Sequence, residues 1–113
     1  MPKGRFEVRL TQGAEDDLES IFKYLAENRS REAATDLLES LLDKVQTLEC
    51  YPLRGNVPKE LEGLEIREFR QTLMSPYRLI YQVIADKVFI TVIADGRRDM
   101  QALLERRLLG RGT

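Results

Sequence analysis

The spacing of apolar residues divides the first half of the chain into a strand and two helices. Apolar and polar side chains alternate from Phe6 to Leu10, which is the pattern of a half-buried strand. Apolar residues then recur at helical spacing from Ala14 to Leu25 and, as a broader stripe, from Ala34 to Leu48. The segment Asn28–Arg31 breaks the pattern between the two runs. Because the break is so short, we expect an antiparallel helix hairpin.

Polar residues at the helix starts support these boundaries. Thr11 and Ser30 each precede a helical run and are suitable N-caps. Asp16 and Asp17 lie near the start of the first helix, where acidic side chains complement the helix dipole. We therefore interpret these two aspartates as part of a solvated face rather than a metal site.

The second half of the chain contains three strand patterns and one further helix. An irregular connection is predicted at Cys50–Pro58 and a short helical turn at Lys59–Leu64. Three strands are predicted at Ile66–Leu73, Tyr77–Ala85 and Val88–Ala94. A final helix, capped by Asp95 or Asp99, is predicted to extend to Leu108. The order β-α-α-β-β-β-α predicts an α+β fold. In that fold an N-terminal strand and an antiparallel helix hairpin precede a three-stranded antiparallel meander, which forms one sheet, and a C-terminal helix.

The segment from Tyr77 to Asp99 is the most informative part of the chain. Strand periodicity places four side chains of its first strand on one face, those of Tyr77, Leu79, Tyr81 and Val83. Arg78 and Ile80 point to the other face. Residues 88–93 are almost continuously apolar, as expected for a strand that is covered on both faces. Arginines inside this hairpin and at its end place cations on a rigid sheet, where they can hold a phosphate or an acidic partner.

The composition suits one small domain and excludes a strongly basic protein. With 113 residues, of which 42% are apolar, the chain can bury one core, so we expect a single domain over residues 1–113. The formal net charge is −1. Residues 1–50 hold 7 Lys and Arg against 11 Asp and Glu, whereas residues 51–113 hold 11 against 8. An anion-binding face should therefore come from the second half of the chain.

The absence of histidine and the single cysteine restrict the chemistry further. Cys50 has no second cysteine with which to form an internal disulfide, which favours a reducing compartment. Histidine, the side chain best suited to proton transfer near neutral pH, does not occur. The chain also lacks the phosphate-binding and nucleophile motifs of nucleotide hydrolases, dinucleotide-binding proteins and α/β-hydrolases. With no signal peptide or membrane-spanning run, we expect a soluble cytoplasmic protein without a cofactor, a metal or a membrane partner.

Arg78 is the strongest candidate for a functional cation. Its neighbours along the strand are apolar or aromatic, so its guanidinium must reach a rim, a buried acid or a ligand. A planar guanidinium suits bidentate phosphate binding, and it suits a salt bridge to a helix carboxylate equally well. The residues alone leave both interpretations open.

The other candidates are four further arginines and two tyrosines. Arg97 and Arg98 follow Gly96 at the end of the last strand, where they can form an anion site or a simple loop. Arg67 and Arg70 lie in the preceding strand pattern, and the simplest interpretation is that both are exposed or paired with nearby glutamates, namely Glu65 and Glu68. The tyrosines, Tyr77 and Tyr81, are expected to be core or sheet-surface residues.

Taken together, these segments resemble the RelE/ParE superfamily of toxins from type II toxin–antitoxin modules. The stretch LTQGAEDDLESIFKYL resembles the opening helix of that superfamily, and TLECYPLRGNVPKEL resembles its L-x-x-x-P-x-x-G connection. The stretch IREFRQTLMSPYRLIYQVIADKVFITVIADGRRDM resembles its three-stranded core, with YRLIYQV as the most specific part. The resemblance covers nearly the whole chain. It implies a growth-inhibiting toxin that a cognate antitoxin neutralises.

One branch of the superfamily implies an enzyme. RelE-type toxins are ribosome-dependent endoribonucleases that cleave mRNA, and they hold the scissile phosphate with cations. By this resemblance Arg78 and Arg98 stand at phosphate-binding positions, and Arg67 and Arg70 lie on the strand that carries catalytic lysines. Tyr81 is then a weak candidate for proton transfer, as is Tyr77.

The departures from RelE favour the other branch. Leu104 stands where RelE has a tyrosine that assists catalysis, and the histidine of other nuclease members is missing. ParE-type toxins share the fold, lack the nuclease residues and poison DNA gyrase. We therefore expect a ParE-like gyrase inhibitor in which the arginines and Tyr77 bind the partner. The alternatives are a RelE-like mRNA endoribonuclease and an interaction module that has lost toxicity.

Overall fold

Residues 5–110 are described by a computed structural model, and they form one four-stranded sheet with helices on both faces. In chain order the elements are β1 (Glu7–Leu10), α1 (Gln12–Asn28), α2 (Arg31–Cys50), a 3₁₀ turn (Pro52–Arg54), α3 (Lys59–Glu62), β2 (Phe69–Met74), β3 (Tyr77–Ile84), β4 (Lys87–Asp95) and α4 (Met100–Leu109). The predicted α+β class, helix hairpin and three-stranded meander are confirmed. None of the helices within residues 5–110 is both long enough and apolar enough to cross a membrane.

The sheet has the strand order β1-β4-β3-β2 and is mixed. The strands β2, β3 and β4 pair antiparallel as the predicted meander, whereas β1 pairs parallel with β4. The strand β2 begins at Phe69 rather than at Ile66. The reason is local, because Glu65 has a φ of 60° and the Ile66 N–H donates back to the Leu61 carbonyl at 3.0 Å. The chain therefore reaches the sheet only after it has turned away from α3.

Side chains cap the three long helices at the predicted positions. The Thr11 hydroxyl accepts from the Ala14 N–H at 3.3 Å at the start of α1, and the Ser30 hydroxyl accepts from the Ala33 N–H at 2.9 Å at the start of α2. Of the two candidates for the last helix, Asp99 is the cap.

The sheet separates two apolar clusters. One lies between the helix hairpin and the sheet and contains Leu79 and Tyr81 of β3, both 0% exposed. The other lies on the opposite face against α3 and α4 and contains Ile80. Alternating side chains of β3 thus enter opposite clusters, as the sequence predicts.

A β-bulge lets β4 supply apolar side chains to both clusters. Tyr81 is paired with Ile90 and Ile80 with Val92, so Thr91 is an extra residue on β4. The bulge reverses the alternation. Ile90 packs towards the helix hairpin, and Val92 packs towards α4. This explains the almost continuous apolar run of β4.

Two charged side chains satisfy the backbone of β4 beyond the last residue of β1. The pairing of β1 ends at Leu10, opposite Ile90. Past that point Asp17 Oδ2 accepts from the Ile93 N–H at 3.0 Å, and Arg107 Nη2 donates to the Thr91 carbonyl at 3.0 Å. Arg107 Nη1 and Asp17 Oδ1 are 2.9 Å apart. The interpretation of Asp17 as part of a solvated face is therefore wrong, because its carboxylate joins α1, β4 and α4 at the sheet edge.

Replacing Asp17 with alanine should destabilise the fold much more than the same change at its neighbour. Asp17→Ala leaves the Ile93 N–H without its acceptor and Arg107 without its counter-charge, so we expect a loss of about 2–4 kcal/mol in the free energy of unfolding. Asp16 is exposed and bonds only the Gln12 side chain, so Asp16→Ala should cost less than about 0.5 kcal/mol. Urea denaturation followed by circular dichroism measures both values. Equal losses in the two variants would contradict this role of Asp17.

Candidate functional site

Arg78 is held inside the protein by two side chains. Its Nη1 and Nη2 lie 2.9 and 2.8 Å from the two carboxylate oxygens of Glu60 on α3, and its Nε donates to Gln71 Oε1 at 2.8 Å. The Arg78 side chain is 12% exposed and that of Glu60 is 9% exposed. The helix carboxylate that the sequence allows as a partner is thus present as Glu60. Phosphate binding by Arg78 stays a prediction, and it would require displacement of this bidentate pair.

Other parts of the chain fit around the Glu60–Arg78 pair. Gly96 passes beside the stem of Arg78, where an added Cβ atom would lie 3.0 Å from Arg78 Cδ. The Glu60 carbonyl accepts from Gln101 Nε2 of α4 at 3.3 Å. Hydrogen bonds from Arg78 lower the pKa of Glu60 from its ordinary value of 4.5, although burial acts in the opposite direction. The pair therefore links α3, the sheet and the start of α4.

The loop after β4 presents Arg97 and Arg98 to solvent. Arg97 binds Asp95 through Nε at 2.9 Å and Nη2 at 2.6 Å, while its side chain stays 80% exposed. The hydrogen bonds from Arg97 lower the pKa of Asp95 to about 2. The exposed Arg98 side chain makes no hydrogen bond or ion pair with the described residues. Among the predicted arginines, Arg98 is therefore the one whose guanidinium is most available to a partner.

Arg67 and Arg70 have different surroundings. Arg67 precedes β2, is 66% exposed and has Glu62, not Glu65, as its nearest acid, at 3.8 Å. Arg70 donates from Nη1 to the Leu53 carbonyl at 3.1 Å and to the Gly55 carbonyl at 2.7 Å. Arg70 anchors the connection that follows α2.

The structure does not bring Arg70 and Arg78 together. Arg70 stands opposite Tyr81 in the β2–β3 pairing and therefore points to the helix-hairpin face of the sheet. Arg78 points to the other face, where it meets Glu60. A single cluster of all the predicted arginines is thus absent from the described residues.

Of the two candidate tyrosines, Tyr81 is a core residue, and Tyr77 is half-buried at the edge of the same apolar cluster. Tyr81 is 0% exposed and its hydroxyl donates to the Pro52 carbonyl at 2.5 Å. Burial raises the pKa of Tyr81, and burial also raises that of the half-buried Tyr77. Gly55 lies directly against the Tyr81 hydroxyl, where a larger residue has no room. The Pro and Gly of the L-x-x-x-P-x-x-G connection therefore serve to seat Tyr81.

The loop after β4 gives the surface around it two exposed arginines, Arg97 and Arg98. A surface that transfers protons needs an accessible group whose pKa lies near the working pH. Tyr81 is enclosed, Leu104 of α4 is 0% exposed, and the hydrogen bonds from Arg97 keep the pKa of the Asp95 carboxyl low. Within residues 5–110 no group of His, Cys, Asp and Glu side chains could hold a metal ion. The arrangement can attract and orient an anionic partner.

Two concave surfaces lie along or beside the helix hairpin. A cleft of about 450 Å³ lies between the hairpin, the β2–β3 turn and the loop after β4, and is lined by residues that include Tyr24, Arg29, Tyr77 and Arg97. An apolar groove of about 630 Å³ runs along the helix hairpin. Its lining includes Leu18, Phe22, Ala26 and Leu38, with three glutamates and one lysine. The sequence does not reveal the cleft, because it forms between elements that are distant in sequence, nor the groove, because its shape depends on how α1 and α2 pack.

Replacing Glu60 with glutamine should change how stability depends on pH. The folded-state pKa of Glu60 is lowered, so the ion pair stabilises the fold above pH 4.5 and is lost as the pH falls through the folded-state value. We expect Glu60→Gln to cost about 1–3 kcal/mol near neutral pH, and the cost to shrink below pH 4.5. Urea midpoints across this pH range measure the effect. Glu62→Gln is the control, because Glu62 is exposed, and matching pH profiles of the two variants would contradict the assignment.

Comparison with known proteins agrees with the fold and the connection described above. Residues 8–100 match the family model described as "ParE toxin of type II toxin-antitoxin system, parDE". No curated protein matches at a significant level. A solved structure described as "Chromosomal ParDE TA system from P. aeruginosa" has a TM-score of 0.66 and 17% sequence identity, and the match covers 82% of this chain and 98% of that chain. That likeness concerns the fold. Since the family match spans most of its length, the chain belongs to the ParE toxin family of the RelE/ParE superfamily.

Proposed function

We propose that this chain is the toxin of a type II toxin–antitoxin module, that it acts in the cytoplasm by binding and poisoning DNA gyrase, and that a cognate antitoxin neutralises it. One observation carries the choice of a binding mechanism. Arg78 is paired with Glu60, and Tyr81 and Leu104, which stand at the positions considered for proton transfer, are both 0% exposed. A protein that inhibits by binding needs an exposed surface and no proton-transfer group.

The comparisons support the module but not the target. The family description names a parDE system, and the P. aeruginosa structure is described as a ParDE toxin–antitoxin system. These descriptions support an antitoxin as the partner of this chain. Gyrase is proposed because ParE-type toxins of the superfamily act on it, and because the described surface offers cations without an accessible acid–base pair.

The proposed gyrase contact is the loop after β4 together with the cleft beside Tyr77. Arg98 has no described ion pair, and Arg97 keeps 80% of its side chain exposed. The cleft is lined by Tyr24 and Tyr77 together with Arg97. Aromatic and arginine side chains dominate the binding energy of many protein interfaces. Arg78 is then a positioning residue, because Gly96, which starts the loop, lies against its stem.

The apolar groove of the helix hairpin is the proposed antitoxin contact. Its floor is formed by Leu18, Phe22 and Leu38, and its lining also carries acidic residues that include Glu15 and Glu19. An amphipathic helix with apolar residues on one face and flanking lysines or arginines would fit both features. This places the antitoxin on a surface away from the Glu60–Arg78 pair.

Purified protein should inhibit gyrase supercoiling, and reversing the charge of Arg98 should weaken that inhibition. We expect Arg98→Glu to raise the half-inhibitory concentration about tenfold or more, while the free energy of unfolding changes by less than about 0.5 kcal/mol. The control is Arg31→Glu, the same charge change at an exposed residue at the start of α2. A gel-based supercoiling assay and urea denaturation give the two readouts.

Three outcomes would decide against this proposal in different ways. Unchanged supercoiling at micromolar excess of the protein would exclude gyrase as the target. New mRNA 5′ ends within codons on translating ribosomes, detected by primer extension, would instead favour the endoribonuclease. Harmless over-expression without an antitoxin would indicate an interaction module that has lost toxicity.

A further inference from the structure

A cleft of about 520 Å³ lies between α2 and the outer edge of β2, and we call it the β2 cleft. Lys44 lines it from α2, Arg54 and Asn56 from the connection after α2, and Thr72 and Leu73 from β2. Gln71 also lines it, and the Gln71 side chain bonds Arg78 on the other face of the sheet. None of the functions considered above uses this cleft.

The β2 cleft is positively charged. Lys44 and Arg54 line it, and no aspartate or glutamate does. Neither cation makes an ion pair with a carboxylate among residues 5–110. Arg54 Cζ lies 4.3 Å from the centroid of the Tyr51 ring, which is a cation–π contact. Two cations without a carboxylate in one concave site attract an anionic group.

The same cleft opens onto an unpaired strand edge. β2 is the terminal strand of the sheet, and the one isolated bridge described at its edge joins Gln71 to Asn56. The Gln71 N–H donates outward to the Asn56 carbonyl at 2.8 Å. Because outward-pointing groups alternate along an antiparallel strand, the backbone of Leu73 also points outward. Leu73 is 59% exposed, so its N–H and carbonyl can pair with an added strand.

Two polar side chains in the β2 cleft also have free hydrogen-bonding groups among the described residues. The side-chain amide of Asn56 and the hydroxyl of Thr72 form no hydrogen bond with the described residues. Both can bond a carboxylate or the backbone of an incoming peptide. The cleft therefore combines charge, side-chain hydrogen bonding and an open strand edge in one place.

We infer that the β2 cleft binds an extended acidic segment of a protein partner, which pairs with the β2 edge at Leu73 and places a carboxylate between Lys44 and Arg54. Strand addition gives such a complex its backbone hydrogen bonds, and the charged cleft gives it selectivity. A peptide fits the open edge better than a nucleic acid, and the chain's net charge of −1 does not favour nucleic-acid binding. The inference holds whether or not gyrase is the target.

Titration of the ¹⁵N-labelled protein with short capped peptides tests the inference directly. The probe is a peptide of alternating glutamate and valine, and the matched control is a peptide of alternating lysine and valine. We expect saturable shifts of the amide resonances of Asn56, Gln71 and Leu73 with the acidic peptide alone. The double variant Lys44→Glu with Arg54→Glu should weaken binding about tenfold or more. Arg31→Glu, the same charge change at an exposed residue at the start of α2, should leave it unchanged.

Several results would overturn the inference. One is the absence of saturating shifts at the β2 edge. Another is equal binding of the lysine peptide, and a third is tighter binding of single-stranded oligouridylate. If the double variant is misfolded in its own spectrum, Lys44→Gln and Arg54→Gln taken singly replace it, and each should weaken binding of the acidic peptide. Gyrase inhibition is measured separately, so failure of this inference is distinguishable from failure of the proposed function.

Discussion

A largely buried guanidinium needs a counter-charge, and the pairing of Arg78 with Glu60 meets this constraint. The Arg78 side chain is 12% exposed and forms a bidentate pair with a carboxylate that is 9% exposed. To supply that carboxylate, the short helix α3 must lie beside the sheet, and its Glu60 carbonyl also accepts from α4. Gly96 must be small where the chain leaves β4. A single buried ion pair thus fixes how α3, the sheet and the loop with Arg97 and Arg98 are arranged.

Charged side chains have different roles at the two edges of the sheet. At the β4 edge, Asp17 and Arg107 bond the backbone that β1 leaves unpaired. At the β2 edge, Asn56 bonds Gln71, and the rest of the strand stays open beside Lys44 and Arg54. One edge is therefore closed by an internal ion pair, whereas the other keeps cations and backbone groups available. This asymmetry is what makes the β2 edge, rather than the β4 edge, suitable for a partner.

Local chemistry allowed much of the fold to be predicted, and long-range pairing explains the rest. Thr11 and Ser30 can be assigned as caps from the sequence, and Asp99 as one of two candidates, because a cap bonds a backbone N–H within three residues. The faces of Tyr81 and Ile80 followed from strand periodicity. The parallel pairing of β1 with β4 joins segments about 80 residues apart, beyond any local pattern. Glu60 is separated from Arg78 by 18 positions and Asp17 from Ile93 by 76, so neither partner could be identified from spacing. Arginines in a strand pattern can be recognised from the sequence alone, whereas the residues that fold against them cannot.

Arg78 serves the fold by pairing with Glu60, and under the proposed function the exposed loop with Arg97 and Arg98 binds the partner. A double-mutant cycle measures this pairing most directly, using urea denaturation of the wild type, Glu60→Gln, Arg78→Gln and the variant that carries both changes. The structure predicts a coupling free energy of about 2–3 kcal/mol, because each single change leaves a largely buried partner unpaired. A coupling free energy below about 0.5 kcal/mol, with additive losses, would contradict this structural role of Arg78. Its guanidinium would then be available to bind a ligand.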